Sequence, residues 1–122
     1  APRPVAELIL SVRSDAQFGL ALTLGSGGVL TELVGDSAPL LLPATAAEIE
    51  TALRGLKVAR LLGGYRGGPS ADIAALAARI AAFCTAVAGR ADEISEIEIN
   101  PLFVHSDGAV AVDVLLHEWT PP

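Results

Sequence analysis

The pattern of hydrophobic and polar positions marks four short apolar segments in the first part of this chain. The segments are residues 5–12, 20–24, 29–34 and 40–42, and those at 20–24 and 29–34 alternate with a period of two. This pattern predicts three strands and a short extended piece, with residues 13–19 as a loop. The glycine-rich segment at residues 25–28 (Gly-Ser-Gly-Gly) predicts a tight turn that pairs the second and third strands antiparallel.

A helical period replaces this alternation in the middle of the chain. Thr45 with Glu48 three residues later is a capping-box pattern, which predicts a helix over residues 46 to about 56. Ser70 is the predicted N-cap of a longer helix that ends near residue 87. Its apolar stripe consists of Ile73, Leu76, Ala77, Ile80, Phe83 and Val87. Strands, two helices and further strands predict an α+β fold: a mainly antiparallel sheet with two helices packed on one face, in a single domain over residues 1–122.

The segment at residues 96–116 predicts a β-hairpin. Alternation stops at residues 106–108 (Ser-Asp-Gly) and then resumes. Asp-Gly between alternating apolar residues is a strong hairpin signal, because both residues tolerate positive φ. A two-residue turn at Asp107-Gly108 would place Leu102 opposite Asp113.

Three polar side chains would then share one face of the hairpin. Alternation puts Glu98 and Asn100 on the face of Leu102, and the pairing adds Asp113. Two carboxylates and one amide carbonyl are hard oxygen ligands of the kind that Mg²⁺ takes beside nucleotide phosphates and water. A three-residue loop would turn Asp113 to the other face. The pattern favours a metal site and a solvated polar face equally, because half-exposed strands are common.

Other positions are weaker candidates. Backbone N–H groups at residues 25–28 could approach an anion, but a predicted strand follows them where a phosphate-binding loop needs a helix. A plain glycine turn is the interpretation that the pattern favours. Arg66, in the glycine-rich loop at residues 63–69, is either a mobile cation or a surface residue. Glu32 is a single acid on an apolar strand, which an edge position explains.

Composition excludes several classes of protein. The net charge of −6 and the scattered basic residues argue against a nucleic-acid partner. No apolar run is long enough to span a membrane, and no signal peptide is evident. The single cysteine, Cys84, excludes an internal disulfide and fits a reducing compartment, which predicts a cytoplasmic location. The hydrophobic fraction of 52% indicates a face for another domain or subunit, and it is compatible with an oligomer. Because methionine is absent, we expect a piece of a longer chain.

Four motifs in order resemble the later part of the ATP-grasp domain in ADP-forming acyl-CoA synthetases. This is the family of ADP-forming acetyl-CoA synthetase and, more distantly, of the succinyl-CoA synthetase β subunit. The motifs are Asp15-Ala-Gln-Phe-Gly19, Gly25-Ser-Gly-Gly28 with Glu32-Leu33, Gly64-Tyr-Arg-Gly67, and Glu98-Ile-Asn100-Pro-Leu102 with Ala-Val-Asp113. Each motif is weak alone, but their common order and spacing are fairly specific.

The resemblance implies a fold, a site and a reaction. The chain would be the C-terminal ATP-grasp subdomain, which holds the metal side of a nucleotide cleft. Mg²⁺ with ATP or ADP is the implied cofactor. The implied site residues are Glu98, Asn100 and Asp113 for the metal, and Gly25, Gly27, Gly28, Glu32 and Arg66 for the nucleotide. The implied reaction couples acid–CoA thioester formation to ATP through a phosphohistidine held in another domain.

The resemblance also implies partners and an alternative function. The remaining ATP-grasp half and the CoA-binding domains or subunit would lie outside this chain, which we therefore expect to be inactive alone. Ser14, Leu40 and Gly63 stand where the family usually has cations. These departures favour the alternative of a non-catalytic ATP-grasp-like scaffold or interaction module.

Overall fold

The computed structural model describes residues 3–27 and 35–120, apart from the side chain of Tyr65. The strands are β1 (Ala6–Asp15), β2 (Gly19–Ser26), β3 (Ser37–Leu41), β4 (Ile94–His105), β5 (Gly108–Ala111) and β6 (Val114–Glu118). The helices are α1 (Ala46–Gly55), α2 (Ala59–Leu62) and α3 (Ile73–Ala88), with a 3₁₀ turn at Tyr65–Gly67. The predicted α+β class is confirmed. The third predicted strand, residues 29–34, lies outside the described residues.

One antiparallel sheet joins these six strands in the order β3-β2-β1-β4-β5. The long strand β4 has β1 on one side along most of its length. On its other side, the second half of β4 pairs with β5 and the first half pairs with β6. Strand β4 is therefore the element that joins the first hairpin to the last part of the chain.

The β1–β2 hairpin differs from the prediction at both of its ends. Residues 13–15 belong to β1, and the loop consists of residues 16–18 only. The Asp15 carboxylate accepts the N–H groups of Gln17 and Phe18 at 2.8 and 3.0 Å, and Gly19 follows with φ 80°. This geometry suits a three-residue hairpin loop with glycine in the left-handed region.

The predicted glycine turn after β2 is wrong. Gly25 and Ser26 are strand residues, with β1 on one side of the strand and β3 on the other. Gly25 lies opposite Ile9 of β1 and opposite Ser37 of β3. Both sides of β2 are thus occupied, and its antiparallel partner after the glycine segment is β3.

Local signals placed the helices well, with one error. The capping box is present, since Thr45 Oγ1 accepts the Glu48 N–H at 3.1 Å and Glu48 Oε1 accepts the Thr45 N–H at 2.9 Å. Helix α3 is capped by Asp72, which accepts the Ala75 N–H at 3.0 Å, and not by Ser70. The carboxylate at Asp72 is as good a cap as a serine hydroxyl, and the backbone enters the helix there.

The core lies between the helices and one face of the sheet. Its buried strand members are Ala6, Leu8, Leu10, Val12, Leu22, Leu24, Ile99, Leu102 and Val104. Its buried helical and loop members are Ile49, Leu53, Leu56, Val58, Leu62, Ile73, Leu76, Ala77, Ile80, Cys84 and Val87. Cys84 is a core residue, as predicted. No helix in the described part of the chain is long and apolar enough to cross a membrane.

Candidate functional site

No helix of the described residues packs against the opposite face of the sheet, which is here called the open face. On β1 the even-numbered residues from Ala6 to Val12 are buried in the core, and the alternating odd-numbered residues point to the open face. Strand register then aligns open-face residues in three rows. The bulge row is Gly25, Ile9, Asn100 and Asp113; the middle row is Thr23, Ser11, Glu98 and Leu115; the end row is Ala21, Arg13, Glu96 and His117.

A β-bulge in β4 determines which side chains reach the open face. Leu8 pairs with Leu102 and Leu10 pairs with Ile99, which leaves one extra residue in β4 between these pairs. The extra residue falls at Asn100-Pro101, whose peptide bond is cis. Both Ile99 and Leu102 are buried as a result, although they are three positions apart. The bulge thus lets one strand contribute to the core on both sides of a polar site.

The position of the turn and the bulge together correct the predicted faces of the hairpin. The turn residues are Ser106 and Asp107, because His105 pairs with Gly108. Leu102 therefore lies opposite Ala111 rather than opposite Asp113. It also points into the core. The prediction that Leu102 shares a face with Glu98 and Asn100 is therefore wrong.

Asn100 and Asp113 nevertheless come together. The Asn100 N–H donates to the Asp113 carbonyl oxygen at 3.0 Å, so the two residues lie opposite each other on neighbouring strand segments. Both side chains are exposed. Glu98 is half-buried and lies two positions before Asn100 on the same face, about 7 Å along the strand. The observed register of the hairpin differs from the predicted one by two residues. Asp113 keeps its predicted face, because side chains alternate with a period of two.

This donor set has the chemistry of a magnesium site that needs further ligands. Among the described residues, no three His, Cys, Asp or Glu side chains are grouped closely enough to hold a metal ion alone. Glu98, Asn100 and Asp113 offer two carboxylates and one amide oxygen. Mg²⁺ is usually bound by one or two carboxylates together with phosphate oxygens and water. The residues present therefore fit Mg²⁺ that arrives with a nucleotide.

Close chain packing explains two of the predicted nucleotide-binding glycines. A Cβ atom on Gly27 would lie 3.0 Å from the backbone of Glu7, and one on Gly25 would lie 3.1 Å from the Asp36 carbonyl oxygen. The Gly27 N–H donates to the Glu7 carbonyl at 2.8 Å, and the Ser26 N–H donates to the Asp36 carbonyl at 2.9 Å. These two N–H groups thus already donate to carbonyl oxygens of the protein itself, and neither is available to a nucleotide.

The other predicted nucleotide residues remain predictions. Gly28 and Glu32 lie outside the described residues. Arg66 is exposed in the 3₁₀ turn, with φ 54° and ψ 41°, which is left-handed backbone that few non-glycine residues adopt. Residues held in this region cluster at functional sites, which is compatible with a role for Arg66 in ligand contact.

The sequence patterns did not reveal a buried carboxylate that organises the end of β2. Asp36 Oδ2 accepts the Ser26 hydroxyl at 2.5 Å and the Val58 N–H at 2.9 Å, while Oδ1 accepts the Lys57 N–H at 2.7 Å. This group of contacts, the Asp36 clamp, joins β2 to the segment that enters α2. The only sign of it in the sequence is a single aspartate after Gly35.

Opposing effects act on the pKa of Asp36. Burial of the carboxyl works to raise the pKa. The Ser26 hydroxyl, the two backbone N–H groups and the nearby Lys57 charge act in the other direction and outweigh it, so the pKa lies below its ordinary value. The clamp therefore holds a charged carboxylate at neutral pH.

A charged row, also not predicted, crosses the open face beside the candidate metal ligands. Arg13 Nε donates to Glu96 Oε2 at 3.2 Å, and Glu96 Oε1 lies 3.9 Å from His117 Nε2. Each Glu96 oxygen thus faces a basic group on a neighbouring strand. This arrangement needs the register of three strands, which local sequence patterns do not contain.

Comparison with known proteins identifies the family. A family model described as an ATP-grasp domain matches residues 1–117. The chain belongs to the ATP-grasp family. The predicted resemblance to the ATP-grasp domain of ADP-forming acyl-CoA synthetases is confirmed, because the related proteins have that activity in their names.

Three related proteins show the extent of the match. The chain is 37% identical over 112 residues to a trans-feruloyl-CoA synthase from an unknown prokaryote, covering 90% of this chain and 16% of that protein. It is 34% identical over 113 residues to the β subunit of the ADP-forming acetate–CoA ligase II of Pyrococcus furiosus, covering 91% of this chain and 48% of that subunit.

The third is a solved structure of an acetyl-CoA synthetase from Candidatus Korarchaeum cryptofilum, in complex with coenzyme A and Mg-AMPPCP. It has 28% identity and a TM-score of 0.86, with 98% of this chain and 55% of that one covered. Its phosphohistidine segment points towards the nucleotide-binding site. The chain thus spans about half the length of the Pyrococcus subunit and of this solved chain, and a sixth of the synthase.

Proposed function

We propose that this chain is the metal-binding side of a nucleotide cleft in an ADP-forming acyl-CoA synthetase. The observation that supports this most directly is the juxtaposition of Asn100 and Asp113 beside Glu98, on the open face of the sheet. The remaining ATP-grasp half would cover this face, and the CoA-binding domains would lie elsewhere in the assembled protein. A cytoplasmic location remains a prediction.

The proposed role of these residues is to position phosphates. Glu98, Asn100 and Asp113 would hold Mg²⁺ with ATP or ADP, and the metal would offset charge on the phosphate oxygens during phosphoryl transfer. The open face supplies a rigid platform, since β4 is fixed by β1 on one side and by β5 and β6 on the other. The acid would then be joined to CoA through a phosphohistidine held outside this chain.

Mg²⁺-dependent nucleotide binding tests the proposal. The sample is this chain assembled with the remaining ATP-grasp half, and the probe is a non-hydrolysable ATP analogue titrated with and without Mg²⁺. The Asn100→Ala, Asp113→Asn double variant should weaken the Mg²⁺-dependent binding about 10- to 100-fold, since it removes one of three protein ligands and the negative charge of a second. Binding without Mg²⁺ should change little.

Asp107→Asn is the matched control. Asp107 is an exposed carboxylate in the turn of the same hairpin, and its loss changes the charge as Asp113→Asn does. We expect wild-type affinity for this variant. Equal Mg²⁺-dependent affinities in the double variant and in the control would refute the assignment of the metal ligands.

The second candidate is a non-catalytic ATP-grasp-like scaffold. It is favoured by the uncharged residues Ser14, Leu40 and Gly63, at positions where the family usually has cations. Leu40 is half-buried and packs against the core, so it contributes to stability rather than to a charged site. Absence of nucleotide binding by the assembled wild-type protein at any Mg²⁺ concentration would favour this candidate.

A further inference from the structure

We infer that Arg13 contacts a phosphoryl group bound on the open face; this rests on the proposed function. Of the eight Lys and Arg residues in the chain, Arg13 is the one that lies on a described strand. It lies on an open-face position of β1, in register with Glu96 and hence with His117. The same face presents the carboxylates of Glu96, Glu98 and Asp113.

The contacts of Arg13 leave most of its donors available. Its Nε donates to Glu96 Oε2 at 3.2 Å, and the side chain is 71% exposed. The guanidinium group has five N–H donors in a fixed fork, and the terminal amino groups make no further hydrogen bond within the described residues. Glu96, only 25% exposed, thus holds one edge of the guanidinium while the rest can accept an oxyanion.

The charge of the open face supplies the reason for such a cation. An anionic ligand that covers the three rows would meet one carboxylate in each of them, from Asp113, Glu98 and Glu96. Mg²⁺ at the bulge row would offset part of the repulsion there. The backbone of Arg13 lies two rows from the bulge row, about 13 Å along the strands. Its long side chain would there face a phosphoryl group that is not bound to the metal.

A surface ion pair alone would give Arg13 a smaller role. Exposed Arg–Glu pairs contribute little to stability, whereas a charge-assisted contact with phosphate affects binding strongly. Two sources of the phosphoryl group fit equally: the end of a nucleotide chain, or a phosphoryl group bonded to nitrogen on another domain. The chemistry recognised is the same tetrahedral oxyanion.

The test compares Arg13→Gln with Arg54→Gln in the assembled protein. Arg54 is the matched control because it is also exposed and also paired with a glutamate, Glu50, on helix α1. The probes are a non-hydrolysable ATP analogue, AMP and phosphoramidate. We expect Arg13→Gln to weaken one phosphoryl probe about tenfold, and Arg54→Gln to change it less than twofold. Arg13→Lys should retain part of the affinity, since it keeps the charge and loses the fork.

Each outcome has one meaning. A loss for the ATP analogue but not for AMP supports the inference with a nucleotide as the source. A loss for phosphoramidate alone supports it with a nitrogen-bound phosphoryl group as the source. Equal affinities of Arg13→Gln and Arg54→Gln for every probe overturn it. The proposed function survives that result if the Asn100→Ala, Asp113→Asn variant still loses Mg²⁺-dependent binding. A wild-type assembly that binds no probe overturns both.

Discussion

The two faces of the sheet are made by the same strands yet have opposite properties. On β1, Leu8, Leu10 and Val12 are buried against the helices, while Ser11 and Arg13 point to the open face. The core face is apolar and lies against the helices; the open face is mostly polar and acidic, and no described helix covers it. Since side chains alternate, one strand can stabilise the fold and present ligands at once. Substitutions on the two faces should therefore separate stability from binding.

The largest expected effect lies on the core face. Leu22 is fully buried, and Leu22→Ala should lower the free energy of unfolding by about 3–5 kcal/mol through lost burial and a cavity. Leu115→Ala, on the open face at 55% exposure, should cost about 0.5 kcal/mol. Urea denaturation measures both. Equal losses would mean that the open face is covered by packing in the isolated chain.

The Asp36 clamp is the second test, because Asp36 is a buried polar residue. Asp36→Asn should cost about 2–4 kcal/mol, since an amide nitrogen would replace one of two oxygens that accept three donors. Asp72→Asn is the control: asparagine caps helices as well as aspartate does, and the expected change is a few tenths of a kcal/mol. A small change at Asp36 would show that the clamp has little energetic role.

The same carboxylate predicts a pH dependence. Because the pKa of Asp36 is lower in the folded state than its ordinary value of 3.8, its stabilisation is present above that value. It is lost as the pH falls from about 4 through the folded-state pKa. Denaturation midpoints measured between pH 7 and pH 2 should fall more steeply for the wild type than for Asp36→Asn. Parallel curves would contradict this linkage.

Cys84 offers a smaller effect, in reactivity. Burial raises the pKa of its thiol from 9.0 to about 11, which lowers the thiolate fraction near pH 8 about 100-fold. Alkylation by iodoacetamide at that pH should therefore be at least about 100-fold slower in the folded chain than in urea. Labelling at similar rates in the two states would show that this part of α3 opens readily.

The smallest expected effect is at the candidate metal ligands. Glu98→Gln should change the free energy of unfolding by no more than about 0.5 kcal/mol without Mg²⁺, because it removes one charge from an already acidic face. A loss comparable to that of Leu22→Ala would place Glu98 among the structural residues and weaken the metal assignment. Thermal denaturation in a chelating buffer makes this comparison.

Local signals explain which elements were predictable. The capping box of Thr45 and Glu48 and the apolar stripe of α3 depend on residues three or four positions apart, and they placed both helices within a few residues. The turn predicted at residues 25–28 is wrong because glycines such as Gly25 and Gly27 are typical turn residues. Glycine is needed at these two positions because a Cβ atom would come too close to Asp36 or to Glu7, which lie elsewhere in the sequence.

The candidate metal set was predictable in its composition but not in its geometry. Polar residues on apolar strands indicated Glu98, Asn100 and Asp113. The observed register differs from the predicted one by two residues, and so Asp113 stays on the face of Asn100. The bulge that separates Leu102 from them depends on pairing with β1, about 90 residues earlier in the chain. No local pattern in β4 contains that information.

The sequence by itself determined the fold class, the approximate helix limits and the identity of the polar residues, because these follow from periodicity and capping within a few residues. Tertiary structure alone decided the Asp36 clamp, the position of the bulge and the row of Arg13, Glu96 and His117. These features need strands from both ends of the chain in register. Their chemistry depends on distances that only the assembled sheet sets.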